Sequence, residues 1–456
     1  AGNTSMITRR RLLETGLAST VALPGLLPRR AKASLADVDV IVIGAGIAGL
    51  AAARRLVELG YETIVLEADS APGGRVKTDW SLGAPFEVGA GWIHGPEGNP
   101  ISELADAAEA KPFVTDDESY RVFTANGDAV STDDIETGYE RLEDLYAAID
   151  DEFDADQALS KAIARMGGKL QSDPVVNWMT SAYTEFSTGG PIDKLSAYYF
   201  DEDGVYPGED VVLLNGYDTI IKQMAGELDI RLNTRVTSIA YEKGDGALVS
   251  TEAGDFESSF VICTVPLGVL KAGDIEFDPP LPKSHRRGID GIGMGNVTKL
   301  ALKFDEAFWP EDVQYFGLMT ETRGRWNYFL NYRTFSEENI LLGLCVGGYA
   351  EKAEAMSDQD MVADCMRAVR TMFGAEAPEP SGYLATRWST NPNSRGAYSY
   401  SAVGSKPEHY DDLAKPVADT ILLAGEHTGF EYHATVHGAY LSGLNAAQII
   451  EDRLAD

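Results

Sequence analysis

The most informative hydrophobic pattern lies near residue 40, where a short apolar run precedes a glycine-rich turn. Residues 38–43 are rich in β-branched apolar side chains, which is typical of a buried parallel strand. Residues 50–59 favour a helix that ends at Gly60, and residues 62–66 favour a second strand that leads to Glu67. The pattern therefore predicts a βαβ unit.

The turn between this strand and helix has the pattern G-x-G-x-x-G, formed by Gly44, Gly46 and Gly49. The first glycine permits a tight turn, the second lets the main chain approach a pyrophosphate, and the third lets helix and strand pack closely. Glu67, 18 residues after Gly49, is placed to accept hydrogen bonds from ribose hydroxyls. The unit alone does not choose between FAD and NAD. The glycine pair before Arg75 favours FAD, because a guanidinium there can reach a pyrophosphate.

The first 34 residues have the layout of an export leader. Three arginines at 9–11 precede an apolar stretch at 12–27, and small residues at 31–33 provide a cleavage signal. We expect a twin-arginine-type signal, transient binding to the twin-arginine export machinery, and a periplasmic or extracellular protein. A basic N-terminal tail without this role is the alternative. The apolar stretch is broken by Pro24, is followed by Pro28 and is too short to span a bilayer, so we expect no stable membrane insertion.

Charge and cysteine content exclude several classes of protein. Lys and Arg number 38 against 71 Asp and Glu, a net charge of −33, and such a chain repels nucleic acid. Three well-separated cysteines exclude a disulfide-dense scaffold and a four-cysteine metal site, and the motifs require no metal. The acidity serves solubility, or it attracts cationic substrates; composition leaves both open.

Several separated motifs together resemble those of the flavin-dependent amine oxidase family, and the likeness covers residues 38–456. The motifs are GAGIAGL (44–50), LEADSAPGGRV (66–76), GAGWIHGPEGNP (89–100), LNTRVTSI (232–239), CTVPLGVLK (263–271), MGNVTKLALKFDEAFWP (294–310), RWSTNPNSRGAYSYSAVG (387–404) and LLAGEHTGFEYHATVHGAYLSG (422–443). The branch that the chain resembles most is that of the polyamine oxidases, including spermine and acetylpolyamine oxidases. The catalytic domain of lysine-specific histone demethylase is similar too.

The resemblance implies an α/β fold in which a discontinuous, Rossmann-like FAD-binding domain of the glutathione-reductase type is joined to an α+β substrate-binding domain. The FAD-binding domain is expected to comprise residues 35–111, 222–303 and 386–456. The substrate-binding domain is expected to comprise 112–221, which is acidic and helical in pattern, and 304–385, which contains strand-like runs at 328–331 and 340–346.

The resemblance also places a group of residues around a non-covalently bound FAD. The main chain of Val236, at the end of a strand, is expected at the adenine, Glu426 at the ribityl or pyrophosphate region, and the helix headed by Val436 at the flavin pyrimidine ring. Monoamine oxidases carry a flavin-linking cysteine where this chain has Ala397, so we expect no covalent link. The full set expected at the FAD is Gly44, Gly46, Gly49, Glu67, Arg75, Gly91, Trp92, Val236, Glu426 and Val436.

Lys299 aligns with the family lysine that reaches flavin N5 through a water. Its strand alternates, and Lys299 shares a face with Val297 and Ala301. A buried lysine costs several kcal/mol unless it has a partner or a task, so an inward lysine indicates function. An edge-strand lysine that faces water is the alternative.

The remaining expected residues line the amine site. Trp388 is expected beside the isoalloxazine ring and Tyr398 as one wall of an aromatic cage that stabilises positive charge, although Tyr398 as a core tyrosine stays open. Thr435 replaces the opposite aromatic wall, which indicates a wider slot for a secondary amine. His94 is expected to bind a substrate ammonium, although a turn-capping role fits nearly as well. Glu185, or an acid within 201–203, is a weaker candidate for a distal ammonium.

These parts imply FAD-dependent oxidative deamination, most consistent with polyamine substrates, and the expected partners are a small-molecule amine and O2. Hydride passes from the carbon next to nitrogen to flavin N5, the imine is hydrolysed to an aldehyde and an amine, and O2 reoxidises the flavin to give H2O2. A flavin oxidase of monoamines, other cationic amines or L-amino acids stays open. So does a flavin-binding protein without turnover.

Overall fold

The computed structural model describes residues 34–152 and 155–455. The strand predicted at 38–43 begins four residues earlier, at Ser34. The strands are β1 (Ser34–Ile43), β2 (Thr63–Leu66), β3 (Thr78–Asp79), β4 (Phe86–Glu87), β5 (Pro112–Val114), β6 (Tyr120–Phe123), β7 (Val211–Leu213), β8 (Asp229–Arg231), β9 (Val236–Glu242), β10 (Gly246–Thr251), β11 (Asp255–Cys263), β12 (Glu276–Asp278), β13 (Gly293–Met294), β14 (Thr298–Lys303), β15 (Tyr315–Leu318), β16 (Tyr328–Asn331), β17 (Ile340–Cys345), β18 (Gly382–Ala385), β19 (Ser399–Tyr400) and β20 (Ile421–Leu423). The predicted leader lies outside the described residues except for Ser34, which opens β1 and so belongs to the folded part.

Helices connect and cover these strands. They are α1 (Ile47–Glu58), α2 (Pro100–Ala107), α3 (Thr132–Glu152), α4 (Leu159–Met166), α5 (Pro174–Met179), α6 (Phe186–Thr188), α7 (Asp218–Ala225), α8 (Leu267–Ala272), α9 (Lys283–Gly291), α10 (Gly347–Glu354), α11 (Asp358–Phe373), α12 (Pro407–Asp411) and α13 (Val436–Ala455). A π-helical turn at Thr180–Glu185 lies between α5 and α6, and 3-10 turns occur at Gly168–Ser172 and Tyr332–Thr334. In the part of the chain that the structure describes, no helix combines the length and apolar character needed to cross a bilayer.

The predicted βαβ unit forms the centre of the larger sheet, whose strand order is β12-β9-β10-β11-β1-β2-β8, with β20 also paired to β11. β1 runs parallel to both β2 and β11, as expected when a crossover helix joins successive strands. α1 and α13 pack against one face, where Val40, Val42 and Val65 are buried. The opposite face buries a second cluster that includes Ile41 and Ile43. Both faces of β1 are therefore covered, as its uninterrupted apolar pattern predicts.

The smaller sheet has the order β18-β14-β17-β16-β15-β6 and is antiparallel except for the β6–β15 pair. One face packs against α10 and α11, and the other packs against Phe86, Trp92 and their neighbours. β14 lies inside this sheet with β17 and β18 as its neighbours. Because both of its faces are covered, the strand that carries Lys299 is buried along its length except at its last residue, Lys303.

Two details differ from the sequence expectations. Val236 begins β9 rather than ending a strand, because the preceding turn packs against β2 through the hydrogen bond from Thr234 N to Glu67 O (2.7 Å). Residues 112–221 contain the predicted helices but also β5, β6 and β7. The strand predicted at 328–331 is β16, and the run at 340–346 is β17 without its last residue. The division into FAD-binding and substrate-binding domains stays a prediction.

Candidate active site

The glycine turn has the shape of a ligand cradle. A side chain at Gly49 would place its Cβ 2.0 Å from the Gly44 carbonyl oxygen, so helix and strand approach too closely for any other residue. Gly44 has φ +100° and faces Thr264. A Cβ at Gly46, by contrast, would meet no atom within 4 Å. The space in front of Gly46 is therefore free to admit a pyrophosphate beside the first turn of α1.

Glu67 holds this turn in place. Its Oε2 accepts a hydrogen bond from Ala45 N (2.6 Å) and its Oε1 accepts one from Asp69 N (2.7 Å). Burial raises the pKa of Glu67, and the backbone hydrogen bonds oppose that rise. Each carboxylate oxygen has a second lone pair, so a ribose hydroxyl can still donate to Glu67. Val236, whose main chain is expected at the adenine, follows the turn that packs on Glu67.

Arg75 and Glu426 form an ion pair between the glycine-pair motif and the C-terminal motif, with the carboxylate buried and the guanidinium partly buried. Arg75 Nη1 donates to Glu426 Oε1 (2.8 Å) and to Ala397 O (2.9 Å). Glu426 Oε2 accepts from Ser399 Oγ (2.5 Å) and Ala434 N (2.9 Å). Burial by itself would raise the pKa of Glu426, but the charges of Arg75 and of His427, which is protonated at low pH, together with the hydrogen bonds from Ser399 and Arg75, outweigh burial and hold the pKa at about 2. The pair joins two motifs that are separated by more than 300 residues.

The next residue, His427, indicates where a polar ligand would fit. Its side chain is buried, and neither ring nitrogen has a hydrogen-bond partner among the described residues. Burial lowers its pKa to about 4, so the imidazole is neutral at pH 7. A buried, unpartnered imidazole is costly, and a polar cofactor group would satisfy it. The open face of Gly46 and the polar group around Arg75 together fit a dinucleotide cofactor.

The N-terminus of α13 completes this region. Val436 is its first residue, as predicted, and the Thr435 Oγ1 accepts a hydrogen bond from Gly438 N (2.9 Å). Thr435 therefore caps the helix, a structural task that the sequence expectation did not include. His437 Nε2 is buried without a partner among the described residues. The free N–H groups and the dipole of this terminus favour negative charge.

Lys299 extends from β14 toward the chain segment that follows β4. Its Nζ donates to the carbonyl oxygens of Gly89 (2.6 Å) and Glu87 (3.0 Å) and lies 5.7 Å from the centre of the Trp92 ring. A Cβ at Gly91 would lie 3.5 Å from Nζ, so this glycine is in direct contact range of the amine. Burial lowers the pKa of Lys299 to about 8. The water-facing alternative is wrong, because only 7% of the residue is exposed.

A series of aromatic contacts continues from Trp92, whose ring lies beside this amine. The Trp92 ring is 6.2 Å from Phe186 in an edge-on arrangement, and Phe186 is 6.3 Å from Tyr328. The Tyr398 hydroxyl donates to the carbonyl oxygen of Phe186, and burial raises its pKa, which keeps the phenol neutral. Phe186, Tyr328 and Tyr398 all pack on one small apolar cluster. The sequence identified Tyr398 and Trp92 but not Phe186 or Tyr328, because no local motif marks them.

Trp388 reaches the same region from the opposite side. Its Nε1 donates to Val88 O (3.0 Å), one residue from the carbonyls that hold Lys299. Its loop is tied down by Glu354, whose Oε1 accepts from Trp388 N (2.8 Å) and whose Oε2 accepts from Ser389 N (2.9 Å). Glu354 was missed by sequence reasoning, since a glutamate at the end of a helix gives no signal of burial.

His94 lies at the exposed edge of the site. Its side chain is 60% exposed, and Nδ1 is 2.5 Å from Asp210 Oδ2. Asp117 is close by, and its pKa is raised first by partial loss of solvent around the carboxylate and second by the Asp210 charge. Glu185 is elsewhere: its buried carboxylate accepts from Ile192 N (3.0 Å), with the Arg323 guanidinium 3.9 Å away. These contacts give Glu185 a structural task, and its role toward a distal ammonium stays a prediction.

Comparison with known proteins agrees with this geometry. Residues 47–450 match the family described as flavin containing amine oxidoreductase. The chain belongs to this family. The predicted family is thus confirmed, and with it the expectation of a flavin enzyme that oxidises amines.

The similarity to individual relatives extends over most of the chain. Probable polyamine oxidase 4 of Arabidopsis thaliana is 34% identical over 434 residues, which cover 90% of this chain and 86% of that protein. Polyamine oxidase 4 of Oryza sativa subsp. japonica is 36% identical over 94% of this chain and 92% of that protein. Lysine-specific histone demethylase 1 homolog 1 of Arabidopsis thaliana is 34% identical over 93% of this chain but 54% of that protein. The solved structure of putrescine oxidase bound to putrescine covers 92% of this chain and 99% of its own, with a TM-score of 0.73 and 22% identity, and so shares the fold.

Proposed function

We propose that this amine oxidoreductase oxidises polyamines with non-covalently bound FAD as its cofactor. The observation that carries the proposal is the buried amine of Lys299, held by two main-chain carbonyls beside the Trp92 ring, with acidic side chains at the exposed edge of the site. Relatives that are 34–36% identical over at least 90% of the chain are named polyamine oxidases, which supports the substrate class.

A Rossmann-like half of the fold would hold the cofactor. Gly46 and the start of α1 would meet its pyrophosphate, Glu67 its ribose, and the α13 N-terminus its flavin ring. FAD, when bound, supplies the redox chemistry: it accepts a hydride from the amine and returns the electrons to O2. With no cysteine at position 397, no covalent link is expected.

The remaining residues would bind and orient the amine. Tyr398 and Trp388 would restrict its approach, and aromatic faces attract a cationic amine before it loses a proton. Asp117 and Asp210 would hold a second, distal ammonium at the exposed edge beside His94. A carboxylate pair there distinguishes a polyamine from a monoamine, since only the polyamine carries a second positive charge.

Two further parts of the proposal concern organisation and export. Residues 35–111, 222–303 and 386–456 would form the FAD-binding domain, and 112–221 with 304–385 the substrate-binding domain. The N-terminal arginines and apolar stretch support export by a twin-arginine-type signal. A reporter protein fused behind residues 1–34 tests the proposal of export. The reporter should leave the cell with the natural arginines and stay inside with an arginine-to-lysine variant.

The first experiment is an anaerobic titration of the flavin spectrum. The purified holoprotein is mixed with spermine, spermidine, N-acetylated polyamines, simple monoamines or L-amino acids. Rapid bleaching by a polyamine alone supports the proposal. Faster bleaching by a monoamine or an amino acid overturns the substrate class, and no bleaching by any amine in folded holoprotein overturns the activity.

The Lys299→Met variant tests the role of the buried amine. We expect it to retain FAD and to reduce turnover by about 100-fold or more, the range of a group that assists proton transfer. Lys303→Met is the matched control, because Lys303 lies on the same strand but pairs with Glu338 (2.6 Å) near the surface. Equal turnover in the two variants would remove Lys299 from the mechanism.

A further inference from the structure

Glu87 lies directly behind the amine of Lys299. It belongs to the short β3–β4 hairpin, opposite Thr78, and only 8% of the residue is exposed. Its main-chain carbonyl accepts one of the Lys299 hydrogen bonds. Buried carboxylates are rare without a partner, and the sequence analysis had assigned this residue no task.

The Glu87 carboxylate is held rigidly. Its Oε2 accepts from Thr78 Oγ1 (2.7 Å) and its Oε1 accepts from Tyr217 N (2.9 Å). Both donors come from elements outside the Lys299 strand, so the carboxylate position does not depend on the lysine. Thr78 Oγ1 also accepts from Asp218 N (3.1 Å), which fixes the hydroxyl.

Gly91 lies beside both side chains. A Cβ at Gly91 would lie 3.4 Å from Glu87 Cβ and 3.5 Å from Lys299 Nζ, so the two side chains approach the same short stretch of main chain. Both residues line one enclosed cavity with room for about one water molecule. Trp92, Tyr332 and aliphatic residues form the rest of its wall, which keeps the local polarity low.

The charges around the pair are few. Asp218 faces Glu87 with a like charge and is itself paired with Lys222 (2.8 Å). Tyr217 and Tyr332 also face Glu87, and burial together with the Glu87 charge raises the pKa of each, so both are neutral. Among the described residues, Glu87 is the group whose charge acts on the Lys299 amine.

We propose that Glu87 is a positioning residue for Lys299, and that its buried carboxylate is the counter-charge that keeps the lysine protonated beside the flavin. The role at the flavin rests on the proposed function. Burial raises the pKa of Glu87 to about 7 and lowers that of Lys299 to about 8, and each partner's charge opposes the other's shift. In Glu87→Gln, the amine loses its counter-charge in an apolar site, and its pKa falls further.

The first test uses the visible absorbance of bound FAD as a function of pH. A pH-dependent change in this absorbance that is present in wild type and absent from Lys299→Met reports the protonation of Lys299. We expect Glu87→Gln to move its midpoint to lower pH by about 1 unit or more, and Glu87→Asp to restore most of the wild-type value. Asp79→Asn, on the same hairpin, is the matched control and leaves the midpoint in place. An unchanged midpoint in Glu87→Gln overturns the proposal.

The second test needs neither flavin nor amine. Because the folded-state pKa of Glu87 is raised, its stabilising contribution is present below pH 4.5 and is lost as pH rises toward 7. Thermal unfolding midpoints of cofactor-free protein should therefore fall between pH 4.5 and 7 in wild type relative to Glu87→Gln. The Lys299 charge opposes the rise in the pKa of Glu87, so the fall should be larger and extend to higher pH in Lys299→Met than in wild type, each measured relative to its Glu87→Gln counterpart. Equal falls overturn the pairing. Flavin bleaching by polyamines together with equal falls separates failure of this inference from failure of the proposed function.

If Glu87→Gln does not fold, Thr78→Val provides the same test with a smaller perturbation. It removes the hydroxyl that donates to Glu87 Oε2 and so disfavours the charged carboxylate. The Lys299 midpoint should move in the same direction as in Glu87→Gln by a smaller amount. A shift to higher pH, or none, contradicts the pairing.

Discussion

Replacing Glu426 by glutamine removes the charge of the buried carboxylate that joins the two halves of the cofactor region. Glutamine has almost the same size and retains one acceptor oxygen for Ser399 and Ala434. What it loses is the ion pair with Arg75, whose Nη1 is 2.8 Å from Glu426 Oε1. The variant therefore isolates the electrostatic contribution of the pair.

The structure sets the expected magnitude. The pKa of Glu426 is about 2 instead of 4.5, a difference of 4.5 − 2 = 2.5. At about 1.36 kcal/mol for each unit, the charged form contributes about 3 kcal/mol to the free energy of unfolding. This agrees with the roughly 3–5 kcal/mol that removal of one partner from a buried pair costs.

The effect has a defined pH dependence. Because the folded-state pKa is depressed, the contribution is fully present above pH 4.5 and is lost as pH falls toward 2. Linkage between the two pKa values makes the contribution at pH 3.5 about 1 kcal/mol smaller than at pH 7. The deficit of Glu426→Gln should therefore shrink from about 3 to about 2 kcal/mol over this range.

Urea unfolding followed by tryptophan fluorescence measures both values. Glu252→Gln is the matched control, because Glu252 is exposed and its loss of charge should change stability by less than about 0.5 kcal/mol. A Glu426→Gln deficit below about 1 kcal/mol at pH 7, the scale of a surface pair, would refute the reasoning. So would a deficit that does not shrink at pH 3.5.

Further outcomes follow from the glycine turn, from the loop that carries Trp388 and from the net charge. Gly49→Ala should prevent stable folding, because its Cβ would lie 2.0 Å from Gly44 O; thermal unfolding measures this. Gly46→Ala should fold but bind FAD at least about 10-fold more weakly, because the new methyl group occupies the space in front of the turn; flavin titration measures this. Glu354→Gln should lower stability by about 1–3 kcal/mol, since the N–H of Ser389 and its loop lose a charged acceptor, and a cost near zero would contradict this anchoring. If the net charge of −33 attracts cationic amines, KM should rise with salt for a polyamine and stay constant for a neutral amine analogue.

Much of the local structure was readable from the chain. The G-x-G-x-x-G turn between an apolar run and a helix predicted β1, α1 and β2 because strand, turn and helix preferences are set by neighbouring residues. Separated motifs identified Lys299 and the family, since a function that requires one particular residue type can be recognised from that residue within a motif. The start of α13 at Val436 was also predicted.

Only the tertiary structure decided which groups act on one another. Glu87 and Lys299 are more than 200 residues apart, and their shifted pKa values arise from burial where the β3–β4 hairpin meets β14. The same holds for Arg75 with Glu426 and for Phe186 beside Trp92. A sequence pattern records the spacing of residues along the chain, whereas charge coupling and solvent exclusion depend on distances between segments that packing brings together.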